Sequence, residues 1–140
     1  ILGEGELRAE FEELVADFGL KDVVDLPGFD SNPYAYFKYA SLFVLSSNWE
    51  GLPGVLIQAL ASKVKVVSTD CPSGPMEILD HAKFGLLVEC NDQVGLMQAM
   101  QQAIFADYVH YSEADFEVHI QQFHKATVLQ QYLNMMESAI

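Results

Sequence analysis

Apolar positions along this chain switch repeatedly between helical and strand spacing. Leu7, Phe11, Leu14, Val15 and Phe18 share one helical face, which Gly19 ends. Residues 23–26 read as a short strand, turned by Pro27-Gly28. Asn32-Pro33 opens a helix carrying Tyr34, Phe37 and Ala40, and a strand at 42–46 follows. Pro53 to Ser62 reads as a helix, 64–69 as a strand, Pro75 to Asp80 as a short helix and 85–89 as a strand. Asn91 or Asp92 then caps a helix with Met97, Met100 and Ile104 in one stripe. The tail is helical over about 113–138, with Phe116, Ile120 and Phe123, then Leu129, Tyr132, Leu133 and Met136. Strands alternating with helices predict an α/β fold: a Rossmann-like parallel sheet with helices on both faces.

One loop in this pattern carries candidate chemistry. The apolar strand Leu42 to Leu45 ends in Ser46-Ser47, and the chain then runs Asn48-Trp49-Glu50-Gly51-Leu52-Pro53 into a helix. Gly51 permits close backbone approach, and Pro53 suits a first helical turn. Free N–H groups and the positive helix end favour an anion above the sheet. Glu50 beside them is an acceptor for hydroxyls. Phosphate donors next to a carboxylate point to a ligand that is part sugar, part phosphate.

Composition narrows the partners. Hydrophobic residues make up 51% and charged ones 19%, as in ordinary globular domains. The net charge of −13 repels nucleic acid and anionic lipid, so neither is expected as a partner. No apolar run approaches the roughly 18 residues of a membrane helix. Cys71 and Cys90 lack C-x-x-C spacing and read as reduced thiols of a cytoplasmic protein. His81, His110, His119 and His124 form no metal-binding spacing, there is no D-x-D, and the four read as surface histidines. No metal or cofactor is expected.

Glu50, Gly51, Pro53 and Ala59, with Gln58 between them, resemble the E-G-x-P-x-x-x-x-E-A signature of retaining GT-B glycosyltransferases of the family 4 (group 1) type. Three further blocks agree in order. Gly3-Glu4-Gly5-Glu6-Leu7 resembles the family's G-x-G-x-L, Val24 to Phe29 its V-x-F-x-G-F, and Val66 to Leu79 its following strand and Gly-containing loop. The likeness is to the C-terminal domain, over nearly all of residues 1–140. It implies a domain that binds a nucleoside diphosphate sugar, with Glu50 facing the donor sugar and the N–H groups of Gly51, Leu52 and Pro53's neighbours around it. It places Ser73, Gly74 and Glu77 near the diphosphate or sugar, Gly3 near an interdomain cleft, and Gly28 and Phe29 beside the base. The acceptor glycan or glycolipid would sit on an N-terminal domain outside this chain. The expected setting is cytoplasmic, peripheral to the inner membrane through that other domain.

Departures from the pattern are informative. Gln58 stands where a second Glu normally takes both ribose hydroxyls; an amide offers one acceptor oxygen and two donors in place of a charged acceptor. Lys63 replaces the family's usual Gly and predicts a weaker helix end. Arg8 replaces the third glycine of a G-x-G-x-x-G, so residues 3–8 read as a tight turn and not a dinucleotide loop. Ile1-Leu2-Gly3 reads as the tail of a strand, and the expectation is a domain lacking its first strand and helix, which in the family carry a basic pair. Such a fragment is expected to be inactive alone. Two rival readings stand: a degenerate, non-catalytic GT-B domain, kept open by Gln58, and a GT-B sugar-nucleotide epimerase or phosphorylase.

Overall fold

The structure is a computed structural model that describes residues 1–106 and 111–138. It divides into two units, residues 1–33 and residues 34–140.

In the first unit, helix α1 (Arg8–Asp17) closes at Gly19, whose φ of +66° lets Leu20 N–H reach back to the Val15 carbonyl at 2.8 Å. Arg8 ties the unit together. Its guanidinium donates to Glu12 and Glu4 at 2.8 Å each and to the Leu26 carbonyl at 2.7 Å. The expected strand at 23–26 is absent: Val23 and Val24 turn back onto the Leu20 carbonyl. The one ladder contact is a parallel bridge between Leu2 and Gly28, with Gly3 N–H donating to the Gly28 carbonyl at 2.9 Å. A lone bridge fixes too few backbone groups to hold a strand extended. The Leu7, Phe11, Leu14 and Phe18 stripe of α1 is exposed, and α1 buries no residue.

The second unit carries the sheet. Its elements run α2 (Tyr34–Phe37), β1 (Phe43–Leu45), α3 (Gly54–Ala61), β2 (Val66–Thr69), α4 (Pro75–Ile78), β3 (Leu86–Val88), α5 (Gln93–Phe105), α6 (Glu113–Gln121) and α7 (Lys125–Ser138). The strands lie in order β1-β2-β3, all parallel, with Val44 opposite Val67 and Ser68 opposite Leu87. Each strand is shorter than the segment expected from the sequence, 42–46, 64–69 and 85–89.

Alternate residues serve opposite faces, as the two-residue period of a strand requires. Phe43, Leu45, Val66 and Leu87 pack on one side with Leu56 and Leu60 of α3, Ile78 of α4 and Phe116 and Ile120 of α6. Val67, Leu86 and Val88 pack on the other against Leu96, Ala99 and Ala103 of α5. Helices therefore cover both faces, as expected. The face of α5 differs from expectation. Met97 and Ile104 are exposed, and the contact line runs through Leu96 and the two alanines, whose small side chains let the helix close on the sheet. Asp92, not Asn91, caps α5, accepting from Gly95 N–H at 2.8 Å. Helix α7 buries no residue, and Leu129, Tyr132, Leu133 and Met136 all lie exposed.

Lys63 takes the left-handed position at the end of α3, with φ +58°. Its amine pairs with Glu113 and Glu117 of α6 and lies 5.9 Å from the Phe116 ring centroid. The expected weakening of the helix end is thus offset by a tie between α3 and α6.

Candidate functional site

The site is built where β1 and β2 end. Beyond β1 the chain turns through Ser46-Ser47 into the Glu50 loop, and Ser47 Oγ donates to Glu50 Oε1 at 2.7 Å. The Ser47 carbonyl accepts from Thr69 Oγ1 at the end of β2 and lies 3.9 Å from Cys90 Sγ beyond β3. Thr69 is buried and also reaches the Leu45 carbonyl at 3.4 Å. The loop bearing Glu50 is therefore held from the ends of β2 and β3.

Two loops meet beside Glu50. Gly74 has φ +90° and ψ −63°, a conformation open in practice to glycine alone. A Cβ built there would lie 2.5 Å from the Gly51 carbonyl oxygen, 2.5 Å from Pro53 Cδ and 3.3 Å from Leu52 Cα. The Ser73-Gly74 loop is thus packed on the backbone of Gly51, Leu52 and Pro53. Ser73, also at positive φ, and Glu77, in the first turn of α4, line a recess of about 680 Å³ together with Asp70 and Cys71.

Pro53 is buried and serves as the N-cap of α3, and no side chain caps that end. The first N–H groups of a helix have no partner within it, so this end offers donors to a ligand. Gln58, one turn further along α3, is half-buried; its backbone carbonyl accepts from Ser62, and its side-chain amide has no hydrogen bond among the described residues.

The structure therefore brings together Glu50, Gly51, Leu52, Pro53 and Gly74, with Ser73 and Glu77 on the adjoining recess. Gly3, Gly28 and Phe29 belong to the first unit, where Gly28 has φ +85° and a Cβ on it would sit 3.0 Å from Glu4 Oε2. Phe29 is exposed. Ser47 and Thr69 are the residues that sequence reasoning missed. The serine pair closing an apolar strand was the available signal, but nothing in a linear pattern says which hydroxyl turns toward Glu50.

Among the histidines, His119 is not a free surface group. Its ring stacks on Phe84 at 4.2 Å, and Nε2 lies 2.7 Å from the Ile78 carbonyl oxygen. His110 lies outside the described residues. Among the described residues, no group of three or more His, Cys, Asp or Glu is placed to hold a metal ion, and no helix is long and apolar enough to cross a membrane.

The family of glycosyl transferases group 1 matches residues 1–108. The chain belongs to this family. It is 47% identical over 79 residues to an uncharacterized glycosyltransferase, MJ1059, of Methanocaldococcus jannaschii, a match covering 56% of this chain and 20% of that protein. It is 39% identical over 107 residues to the N-acetylgalactosamine-N,N'-diacetylbacillosaminyl-diphospho-undecaprenol 4-alpha-N-acetylgalactosaminyltransferase of Campylobacter jejuni, covering 76% of this chain and 29% of that one. Among solved structures it resembles a mutant of S. aureus TarM in complex with fondaparinux, alpha-GlcNAc-glycerol and UDP. The TM-score is 0.83 at 26% identity, over 96% of this chain and 28% of that one. The fold is that of the GT-B glycosyltransferases. This group 1 domain spans less than a third of the length of each of these relatives.

Proposed function

We propose that this domain binds a nucleoside diphosphate sugar and that the whole protein transfers the sugar, with retention, to a glycan or glycolipid acceptor. The observation that carries the reading is the packing of Gly74 on Gly51 to Pro53, which sets two loops edge to edge beside Glu50. Phosphates fit the uncapped start of α3 and the Ser73-Gly74 loop, where backbone N–H groups offer charge-assisted bonds without side-chain rearrangement. Glu50, oriented by Ser47, accepts from hydroxyls of the donor sugar. Gln58 takes the ribose with one acceptor oxygen and two donors. Retention needs the leaving diphosphate stabilised and the acceptor held on the same face, so positioning and electrostatics supply the rate. No metal has a role in this reading. The acceptor and the setting at the cytoplasmic side of a membrane belong to the rest of the protein.

The test uses the full-length protein. Glu50→Gln lowers turnover by more than it weakens nucleotide binding, because its partner is the sugar. Gln58→Glu tightens nucleoside diphosphate binding and leaves turnover similar, since a charged acceptor holds the ribose diol better. Titration calorimetry and steady-state transfer rates read both; unchanged transfer in Glu50→Gln, or lost binding in Gln58→Glu, overturns the assignment. Gln58 also favours a second reading, a degenerate domain without catalysis. Failure of the wild-type protein to bind any nucleoside diphosphate would select it.

A further inference from the structure

The two cysteines of this chain stand at the ends of neighbouring strands, and no step of the proposed transfer uses them. Thr69 and Val88 are the last register partners of β2 and β3, and Asp70 N–H continues the ladder to the Val88 carbonyl at 2.7 Å. Cys71 and Cys90 follow these partners by two residues each. Both lie beyond the paired residues, Cys90 in the turn that Asp92 N–H closes on the Glu89 carbonyl, and Cys90 is among the groups that act electrostatically on the Cys71 thiol. Parallel neighbours stand roughly 4.8 Å apart, and disulfides span Cα separations of about 4.4–6.8 Å. A second contact fixes where Cys90 reaches. Its Sγ lies 3.9 Å from the Ser47 carbonyl beyond β1, so the side chain crosses the end of β2, where Cys71 leaves the sheet.

We propose that Cys71 and Cys90 are a redox-modification site that closes reversibly into a disulfide beneath the Glu50 loop. Both are free thiols here, Cys71 buried and Cys90 half-exposed. Cys90 is the more exposed thiol and the point of attack, while burial first, then Cys90 and Glu50, push the Cys71 thiol up. With a peroxide as oxidant, the Cys90 thiolate attacks one oxygen, the O–O bond breaks and hydroxide leaves, giving a sulfenic acid. Cys71 sulfur then attacks the Cys90 sulfur; the S–O bond breaks, and the oxygen leaves as water with the Cys71 proton. Two thiols give up two electrons and two protons, and the peroxide becomes two waters. Closure draws Cys90 Sγ from the Ser47 carbonyl, and Ser47 is the residue that orients Glu50.

The pairing itself does not depend on the transferase reading; only its effect on turnover does. Trypsin separates the cysteines at Lys83, so a non-reducing peptide map of the full-length protein reads the bond directly. After mild peroxide, segment 66–83 should be found linked to segment 84–125 at their summed mass less two hydrogens. The link should vanish with dithiothreitol and be absent in Cys90→Ser. Recovery of the two segments unlinked, with Cys90 over-oxidised, or linkage of either to another cysteine, overturns the pairing. Transfer rates should fall severalfold on oxidation, recover on reduction, and be indifferent to peroxide in Cys90→Ser. A linked protein with undiminished transfer overturns the coupling to Glu50 while leaving the transferase assignment intact.

Discussion

Gly74→Ala is the sharpest perturbation of the site. The new methyl would meet the Gly51 oxygen and Pro53 Cδ at 2.5 Å each, where carbon contacts are optimal near 3.5–4.0 Å. Neither neighbour is a flexible side-chain tip: one is backbone, the other a ring atom of a buried proline. Relief therefore requires the two loops to part by about 1 Å, an overpacking cost of about 1–3 kcal/mol. The φ of +90° with ψ −63° adds about 1–3 kcal/mol for any residue with a Cβ. Together these come to about 2–6 kcal/mol, against a typical domain stability of about 5–15 kcal/mol. Urea unfolding of the full-length protein, followed by circular dichroism through the transition of this domain, should show a midpoint lower by about 1–3 M. Nucleoside diphosphate affinity should fall as well, because the loops no longer meet. A midpoint within about 0.3 M of wild type would mean that the loops do not pack as described, and the reading built on their contact would fail with it.

Ser47→Ala removes the hydroxyl that holds Glu50, a loss of about 0.5–1.5 kcal/mol, but spares the Ser47 carbonyl on which Thr69 and Cys90 converge. Steady-state kinetics should show lower kcat with nucleotide affinity nearly unchanged, and Ser47→Thr should restore the rate; equal activity of Ser47→Ala and wild type refutes an orienting role. Lys63→Met removes the tie to Glu113 and Glu117 and should lower thermal stability slightly, by differential scanning fluorimetry. The hydrogen bond to Glu113 raises the Lys63 amine above its ordinary value, so its contribution is fully present below the ordinary lysine range and is lost as pH rises through the folded value. The difference between wild type and Lys63→Met should stay constant near neutrality and shrink only in strong alkali.

The layout of the sheet was legible because burial writes itself into spacing. Val66 and Val67 face opposite cores, and the continuous apolar runs of β1 to β3 can be satisfied only by helices on both sides. Glu50, Gly51 and Pro53 were legible because glycine and proline mark where backbone must bend or start a helix. Other features were not, for identifiable reasons. Val23 to Leu26 has strand-like composition, but strand formation depends on a partner along its whole length, and composition does not supply one. The α5 stripe misled because Met97, Met100 and Ile104 are larger and more apolar than Ala99 and Ala103, yet it is the small residues that allow contact. The meeting of Gly74 with Gly51 and Pro53 is a contact between loops more than twenty residues apart, invisible to any local rule.

Strand β2 is paired on both edges and buried at every position. In hydrogen-exchange terms such a strand opens only with the whole unit, whereas exposed loops open at little cost. The loop that bears Glu50 is latched to the end of this strand through Thr69. Such a loop is anchored at one fixed end, and its tip can open many times in the interval between two openings of the sheet beneath it. The domain thus separates two clocks, and motion at the tip need not wait on, or endanger, the integrity of the strand that carries it.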